Sequence, residues 1–242
     1  MDRFFCPTLS DGTTVKLEDE EFHHLVHVLR VKPGAQVELF DGQGTAGPFV
    51  VDRLSKRDAQ LSLAGDLRRD EPDRVRLILG VACPKGDRLK WLVEKATELG
   101  VTELVPLLCE RSVVEPRETK LAKLEQTVLS ACKQCRRNRL MTIGEPQPLA
   151  QFLQQPAELA LIAHPGGLPV GSEVPRIPAD EGRPVIVRVA IGPEGGFTDA
   201  EISAAEASDV SKISLGRYVL RVETAAVAAA ALLSGLSEPD QR

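Results

Sequence analysis

The chain has 242 residues, 43% of them apolar and 27% charged, with a formal net charge of −5. An acid excess excludes a general nucleic-acid coat protein but leaves room for a local basic patch, and no apolar run reaches the roughly 20 residues of a membrane span. Met1-Asp2-Arg3-Phe4-Phe5 lacks the basic start and apolar core of a secretory signal, and five scattered cysteines fit a reducing cytoplasm better than a disulfide framework.

Residues 1–70 read as a small β-rich unit. Val37-Glu38-Leu39-Phe40 alternates and Asp41-Gly42 supplies a hairpin signal; Phe49-Val50-Val51 and Ala59 to Leu63 are further strands. Glu20 to Arg30 carries Phe22, Leu25, Val26 and Leu29 at helical spacing until Pro33-Gly34. His23, His24, His27 and Arg30 fall on its polar face. No cysteine or carboxylate completes a metal set there, so the face is read as solvated or RNA-facing. Arg68 to Arg74, charged and holding a proline, is the predicted linker.

Residues 71–242 change rhythm. Val75 to Cys83 has the apolar run of a strand buried on both faces. Asp87 is placed to cap a helix with Leu89, Leu92, Val93, Ala96 and Leu99 in one stripe, stopped by Gly100. Val101 to Leu108 follows as a strand, then Leu121 to Cys135 as a helix with Leu121, Leu124, Val128, Ala131 and Cys135 in register. Leu159 to Ala163, Val185 to Ile191 and Val210 to Leu215 are strands, 164–184 a surface loop, and Thr224 to Leu236 a closing helix. Alternating strands and helices predict an α/β domain with a mainly parallel sheet. Cys132 and Cys135 form a lone Cys-x-x-Cys without a second pair, so no metal is expected.

Two glycine-bearing stretches each join a strand to a helix. The first is Ile191-Gly192-Pro193-Glu194-Gly195-Gly196-Phe197, with Thr198 and Glu201 spaced as a capping box. The second is Leu215-Gly216-Arg217-Tyr218-Val219-Leu220-Arg221-Val222-Glu223-Thr224. Glycines there let main-chain N–H groups approach a ligand without Cβ interference, so the two stretches read as walls of one site, with His164 and Pro165 able to join them. Arg221 and Glu223, two apart, would share one side of an extended loop. The guanidinium can stabilise an anion developing on a substrate base; Glu223 and Thr224 can orient it or cap the last helix. Lys133, Gln134, Arg136, Arg137, Asn138 and Arg139 form a basic cluster at a helix end. The macrodipole accounts for part of it; the excess suits phosphate contact, with Asn138 placed to read a base edge.

The two glycine motifs together resemble those of the SPOUT superfamily of knotted RNA methyltransferases, and more narrowly the bacterial 16S rRNA (uracil-N3)-methyltransferases. His24 to Gly34 with Val28-Leu29-Arg30, Glu94 to Gly100, and Ala131 to Arg139 agree with that family in order and spacing. The resemblance implies a PUA-like RNA-binding β-barrel over 1–70 and, over 71–242, a methyltransferase domain with a C-terminal trefoil knot. It implies S-adenosylmethionine held by Ile162, His164, Ile191, Gly192, Pro193, Glu194, Gly195, Gly196, Leu215, Gly216, Val219 and Leu220. It further implies catalysis by Arg221 and Glu223, and RNA contact by His24, Arg30, Lys133, Arg136, Arg137, Asn138 and Arg139. Expected partners are 16S rRNA or the small ribosomal subunit and a second copy of the chain, in the cytoplasm, with no metal or membrane. The acceptor of the uracil N3 proton stays open among Glu223, Glu194 and water. This chain has Gln134-Cys135-Arg136-Arg137 where relatives often have Gln-Cys-Gly-Arg, and Arg217-Tyr218 where Pro-Arg is common. Two other readings are a ribosome-associated RNA-binding dimer without catalysis, and a SPOUT enzyme acting on a ribose 2′-hydroxyl or a tRNA base.

Overall fold

A computed structural model describes residues 1–9, 13–113, 118–170 and 183–235, with backbone only for 118–122. The chain forms two compact units, one of Met1–Glu71 with Cys132–Leu140, the other of Pro72–Ala131 with Met141–Arg242.

In the first unit β1 (Arg3–Phe5), β2 (Thr14–Glu18), α1 (Asp19–His23), β3 (Gln36–Phe40), β4 (Thr45–Leu54), β5 (Asp58–Leu63) and β6 (Arg68–Arg69) follow in turn. They build a sheet of order β1-β3-β4-β5-β2, with β6 on β4. Alternation places Val37, Leu39, Phe49, Val51 and Leu61 in one core with Phe4, Leu17 and Leu25. The Asp41 signal works through its side chain, whose Oδ1 accepts from the N–H groups of Gln43 (2.7 Å) and Thr45 (2.9 Å).

Two expectations are corrected here. The helix predicted over Glu20 to Arg30 is α-helical only to His23 and continues as a π-turn over His24–Val28. Leu29 N–H donates to His24 O at 3.0 Å, an i→i+5 bond. That wider turn breaks the stripe: Phe22 and Leu25 are buried, whereas Val28 is 58% and Leu29 39% exposed. The predicted linker begins as a strand, because Arg68 and Arg69 pair with Ala46 and Thr45 and Arg68 forms an ion pair with buried Glu38.

The second unit runs β7 (Val75–Ala82), α2 (Arg88–Glu98), β8 (Glu103–Leu108), α3 (Glu118–Cys135, counted in the first unit from Cys132 on), β9 (Thr142–Ile143), β10 (Gln147–Pro148), α4 (Leu149–Gln154), β11 (Leu159–Pro169), β12 (Val185–Ile191), α5 (Asp199–Ala207), β13 (Ser211–Ser214) and α6 (Val222–Ser234). The sheet order is β10-β8-β7-β12-β11-β13, with β9 on β8, and every pairing in it is parallel. Burial on both faces explains the nearly continuous apolar runs of β7 and β12, interrupted by Arg76 and Arg188. In α2, Leu92, Val93 and Ala96 are fully buried, and Gly100 ends the helix at φ +80°. Asp87 does not cap it: its backbone is already helical and its side chain makes no cap bond.

The largest departure concerns 164–184. Strand β11 continues through His164-Pro165-Gly166-Gly167 to Pro169; residues 171–182 lie outside the described residues. Both Ala163 and Leu168 pair with Ile213 of β13, so His164 to Gly167 bulge out between them. Gly167 permits this, since a Cβ there would sit 2.5 Å from the Ile213 carbonyl carbon. The closing helix starts at Val222, two residues before the expected Thr224; the expected end Leu236 and the side chain of Leu121 are not described. Strands β9 and β10 and helix α4 are too short to show a period.

Candidate cofactor site

The C-terminal ends of β11, β12 and β13 meet around a cavity of about 310 Å³, within the roughly 300–1,000 Å³ typical of small-molecule sites. Its first wall leaves β12 at Ile191 and runs through Gly192 to Phe197. Thr198 and Glu201 close that wall as the expected capping box: Glu201 N donates to Thr198 Oγ1 (3.2 Å), and Thr198 N to Glu201 Oε2 (2.8 Å). The other carboxylate oxygen of Glu201 accepts from Glu110 N at 2.9 Å. Arg111 Nη1 donates to the carbonyls of Gly195 (2.9 Å) and Phe197 (3.4 Å). Burial, reinforced by Glu201, pushes the neighbouring Cys109 thiol up to about 12, so the loop beside this wall carries a neutral, inert sulfur.

The second wall is Ser214 to Gly216 with Tyr218, Val219 and Leu220, leading to Val222 and Ala225 of α6. Gly216 holds φ +146°, open to glycine and strained for any other residue. The bulge of β11 supplies the third wall, Ala163, His164 and Pro165. His164 Nδ1 accepts from Gly166 N at 3.0 Å, so a neutral imidazole carries its proton on Nε2 as a donor.

Most of the expected cofactor residues line this cavity: His164, Ile191 to Gly196, Leu215, Gly216, Val219 and Leu220. Ile162 lies instead in the core with Ile78, Val105 and Phe152. Arg221 and Glu223 do not line the cavity and do not pair. Because α6 begins between them, Arg221 is an exposed N-cap and Glu223 points inward, 7% exposed. The partner of Glu223 is Arg88, whose Nη1 lies 3.5 Å from Glu223 Oε2 and whose Nη2 lies 3.5 Å from Glu194 Oε1. Sequence reasoning missed Arg88 and Arg111, since partners 106 and 84 residues away leave no local signal. Tyr218, passed over as a departure, lines the cavity while remaining 76% exposed.

The expected RNA residues lie in the first unit and divide by their partners. Asn138 is not free to read a base: Oδ1 accepts from Arg3 Nη2, and Nδ2 donates to Asp70 Oδ1 at 3.0 Å. Arg139 is spent on the carbonyls of Gln43 (2.6 Å) and Asp70 (3.2 Å), and Lys133 on Glu21. His24 is half-buried with its ring 5.7 Å from Phe4. Arg137 is half-buried, whereas Arg30 and Arg136 are exposed at φ +54° and +64°. Arg136 thus occupies the left-handed position just past α3 that glycine favours, which is where the family pattern set out above has glycine. Arg136→Gly is expected to stabilise the chain by about 0.5–1 kcal/mol and to weaken RNA binding with a shallower salt dependence. A lower denaturation midpoint would show instead that the side chain makes a stabilising contact.

The family description RNA methyltransferase domain matches residues 71–234, and RNA methyltransferase PUA domain matches 17–64. The chain belongs to the RNA methyltransferase family. Among its relatives is the ribosomal RNA small subunit methyltransferase E of Synechocystis, 32% identical over 230 residues that cover 93% of this chain and 74% of the relative. The Bacillus subtilis protein of the same name is 26% identical, covering 98% of each. The crystal structure of the Neisseria gonorrhoeae ribosomal RNA small subunit methyltransferase E, bound to S-adenosylmethionine, superposes with a TM-score of 0.84 at 32% identity over 98% of both chains. The fold of this RNA methyltransferase is therefore the SPOUT-type α/β architecture preceded by a PUA-like domain.

Proposed function

We propose that this RNA methyltransferase transfers the methyl group of S-adenosylmethionine to N3 of a uridine in 16S rRNA of the small ribosomal subunit, acting in the cytoplasm as a homodimer. The observation that carries the reading is the cavity enclosed by both glycine loops and the β11 bulge, in a chain that superposes on a relative crystallised with that cofactor. The residues suit the ligand. Apolar walls at Ile191, Leu215, Val219 and Leu220 accept a flat base, while Glu194, His164 and exposed carbonyls offer partners for hydroxyl and amino groups. The cofactor brings a methyl group already activated on a sulfonium.

This chain's own residues have two tasks. Uracil N3 must lose its proton to become a nucleophile, and Arg221, a cation between the cavity residues Leu220 and Val222, offsets the charge that then appears on the uracil oxygens. The loops hold donor and acceptor in line, which removes much of the entropic barrier. Glu194 lines the cavity and Glu223 is buried with Arg88 3.5 Å away; the acceptor of the proton is one of these carboxylates or water. Dimerisation is supported by Tyr218 and Val219, 76% and 87% exposed on the cavity wall; apolar surface beside a binding site is what a second copy would cover. Arg30 and Arg136 are the expected phosphate contacts.

The test is mass spectrometry of nucleosides from rRNA, and separately from small subunits, incubated with the protein and labelled cofactor. Label in 3-methyluridine is expected. Label in a 2′-O-methylated nucleoside would reassign the acceptor atom, and no label in either RNA would favour a non-catalytic RNA-binding dimer.

A further inference from the structure

The cavity wall contains one formally charged side chain among its described lining residues, Glu194. Its carboxylate is 40% exposed and shares Arg88 with Glu223, each at 3.5 Å. Two carboxylates thus divide one guanidinium, and both contacts exceed the 2.7–2.9 Å of a tight charge-assisted bond. Arg88 Nη2 donates to Glu194 Oε1 at 3.5 Å while Glu223 Oε2 is buried without a hydrogen-bond donor, so one positive charge faces two negative ones and the cluster keeps a residual negative charge. The other cations near the cavity are not among its lining residues: Arg221 is the exposed N-cap of α6. Arg111 is spent on the Gly195 and Phe197 carbonyls, and Arg217 lies over the Tyr218 ring at 5.7 Å; neither lines the cavity.

From this geometry we infer that the Glu194–Arg88–Glu223 cluster makes the cavity select its ligand by charge, favouring the cationic sulfonium cofactor over the neutral thioether left after methyl transfer. The inference rests on the cofactor reading above. Cofactor and product share adenine, ribose and the amino-acid zwitterion, and they differ by the methyl group and the positive charge on sulfur. A residual negative charge on the wall stabilises the first and is indifferent to the second, so it promotes product exchange. Glu194 acts here through space on a bound ligand, and Arg88 is a positioning residue that sets how much of its charge is felt.

The experiment is calorimetric binding of three probes to the full chain: S-adenosylmethionine, S-adenosylhomocysteine, and the analogue bearing an ammonium in place of the sulfonium. Glu194→Gln is expected to lower the preference for both cationic probes over the neutral one by about three- to tenfold, the order of a unit charge acting across a partly wet cavity. Arg88→Met is expected to raise the same preference by a similar factor, even if it loosens the loops and weakens every ligand. Both changes should shrink as salt is added. If Glu194→Gln weakens all three probes equally, Glu194 accepts a hydrogen bond common to them and the inference is overturned; an unchanged ratio in both variants overturns it too. If the wild-type chain binds none of the probes, the cofactor reading itself is lost, a result distinct from an unaltered ratio.

Discussion

Arg221→Ala is expected to lower the methylation rate by about a hundred- to a thousand-fold, the usual cost of deleting a group that stabilises charge in a transition state. Arg221 is the exposed N-cap of α6, with an extended backbone and no side-chain cap bond. Its guanidinium has no ion-pair or hydrogen-bond partner among the described residues, so removing it breaks no structural contact. Leu220 and Val222 on either side line the cavity, and the proposed function takes the cation to face the base that approaches it. Cofactor affinity measured by calorimetry should therefore stay within about twofold, while the turnover falls; for a group acting only in the transition state the two quantities separate in this way. Arg221→Lys should recover part of the rate, because it keeps the charge and loses the planar fork. Full activity in the alanine variant would remove Arg221 from the chemistry.

Gly167→Ala is expected to destabilise the second unit by about 3 kcal/mol or more, the cost of overpacking against an element that cannot yield. The added Cβ would lie 2.5–2.8 Å from three backbone atoms of Ile213, and a strand backbone offers no rotamer into which to retreat. β13 must then move off β11, and the bulge carrying His164 and Pro165 moves with it. For a chain of this size the loss corresponds to a drop of about 6–12 °C in the thermal midpoint, accompanied by weaker cofactor binding. Gly166→Ala is the control: its Cβ would meet only His164 ring atoms, at 3.3 and 3.5 Å, so a much smaller change is expected. Equal midpoints for the wild type and Gly167→Ala would show that β11 and β13 are not held at this separation in solution.

What could be read from the linear chain was whatever depends on near neighbours. Val185 to Ile191 is the strand its apolar run predicts, and Thr198 with Glu201 is the capping box its spacing predicts. The alternation of strands and helices likewise announced a parallel sheet. The glycine loops were legible because glycine at a strand-to-helix junction has few other reasons to recur. Reading failed where a choice between equivalent local options was made by distant groups. The stripe from Phe22 to Leu29 fits an α-helix as a pattern, yet the chain takes a π-turn. His164 to Gly167 looks like a loop because prolines and glycines dominate it, but pairing with β13 before it at Ala163 and after it at Leu168 and Pro169 makes it a bulge within one strand.

The same division runs through the functional residues. The amino-acid sequence by itself determined the family, the fold class and the two segments that wall the cavity, since each is encoded in contiguous residues at constant spacing. Only the tertiary structure decided which charges are free. Lys133, Asn138 and Arg139 read as an RNA surface, but they are consumed by Glu21, Arg3, Asp70 and Gln43, whereas Arg136 remains exposed. Glu223 was matched with Arg221 by proximity along the chain, and folding gave it Arg88 instead. The reason is physical: a side chain's partner is set by whatever lies within a few ångströms after folding, and for an ionic group the strongest contact can come from either end of the chain.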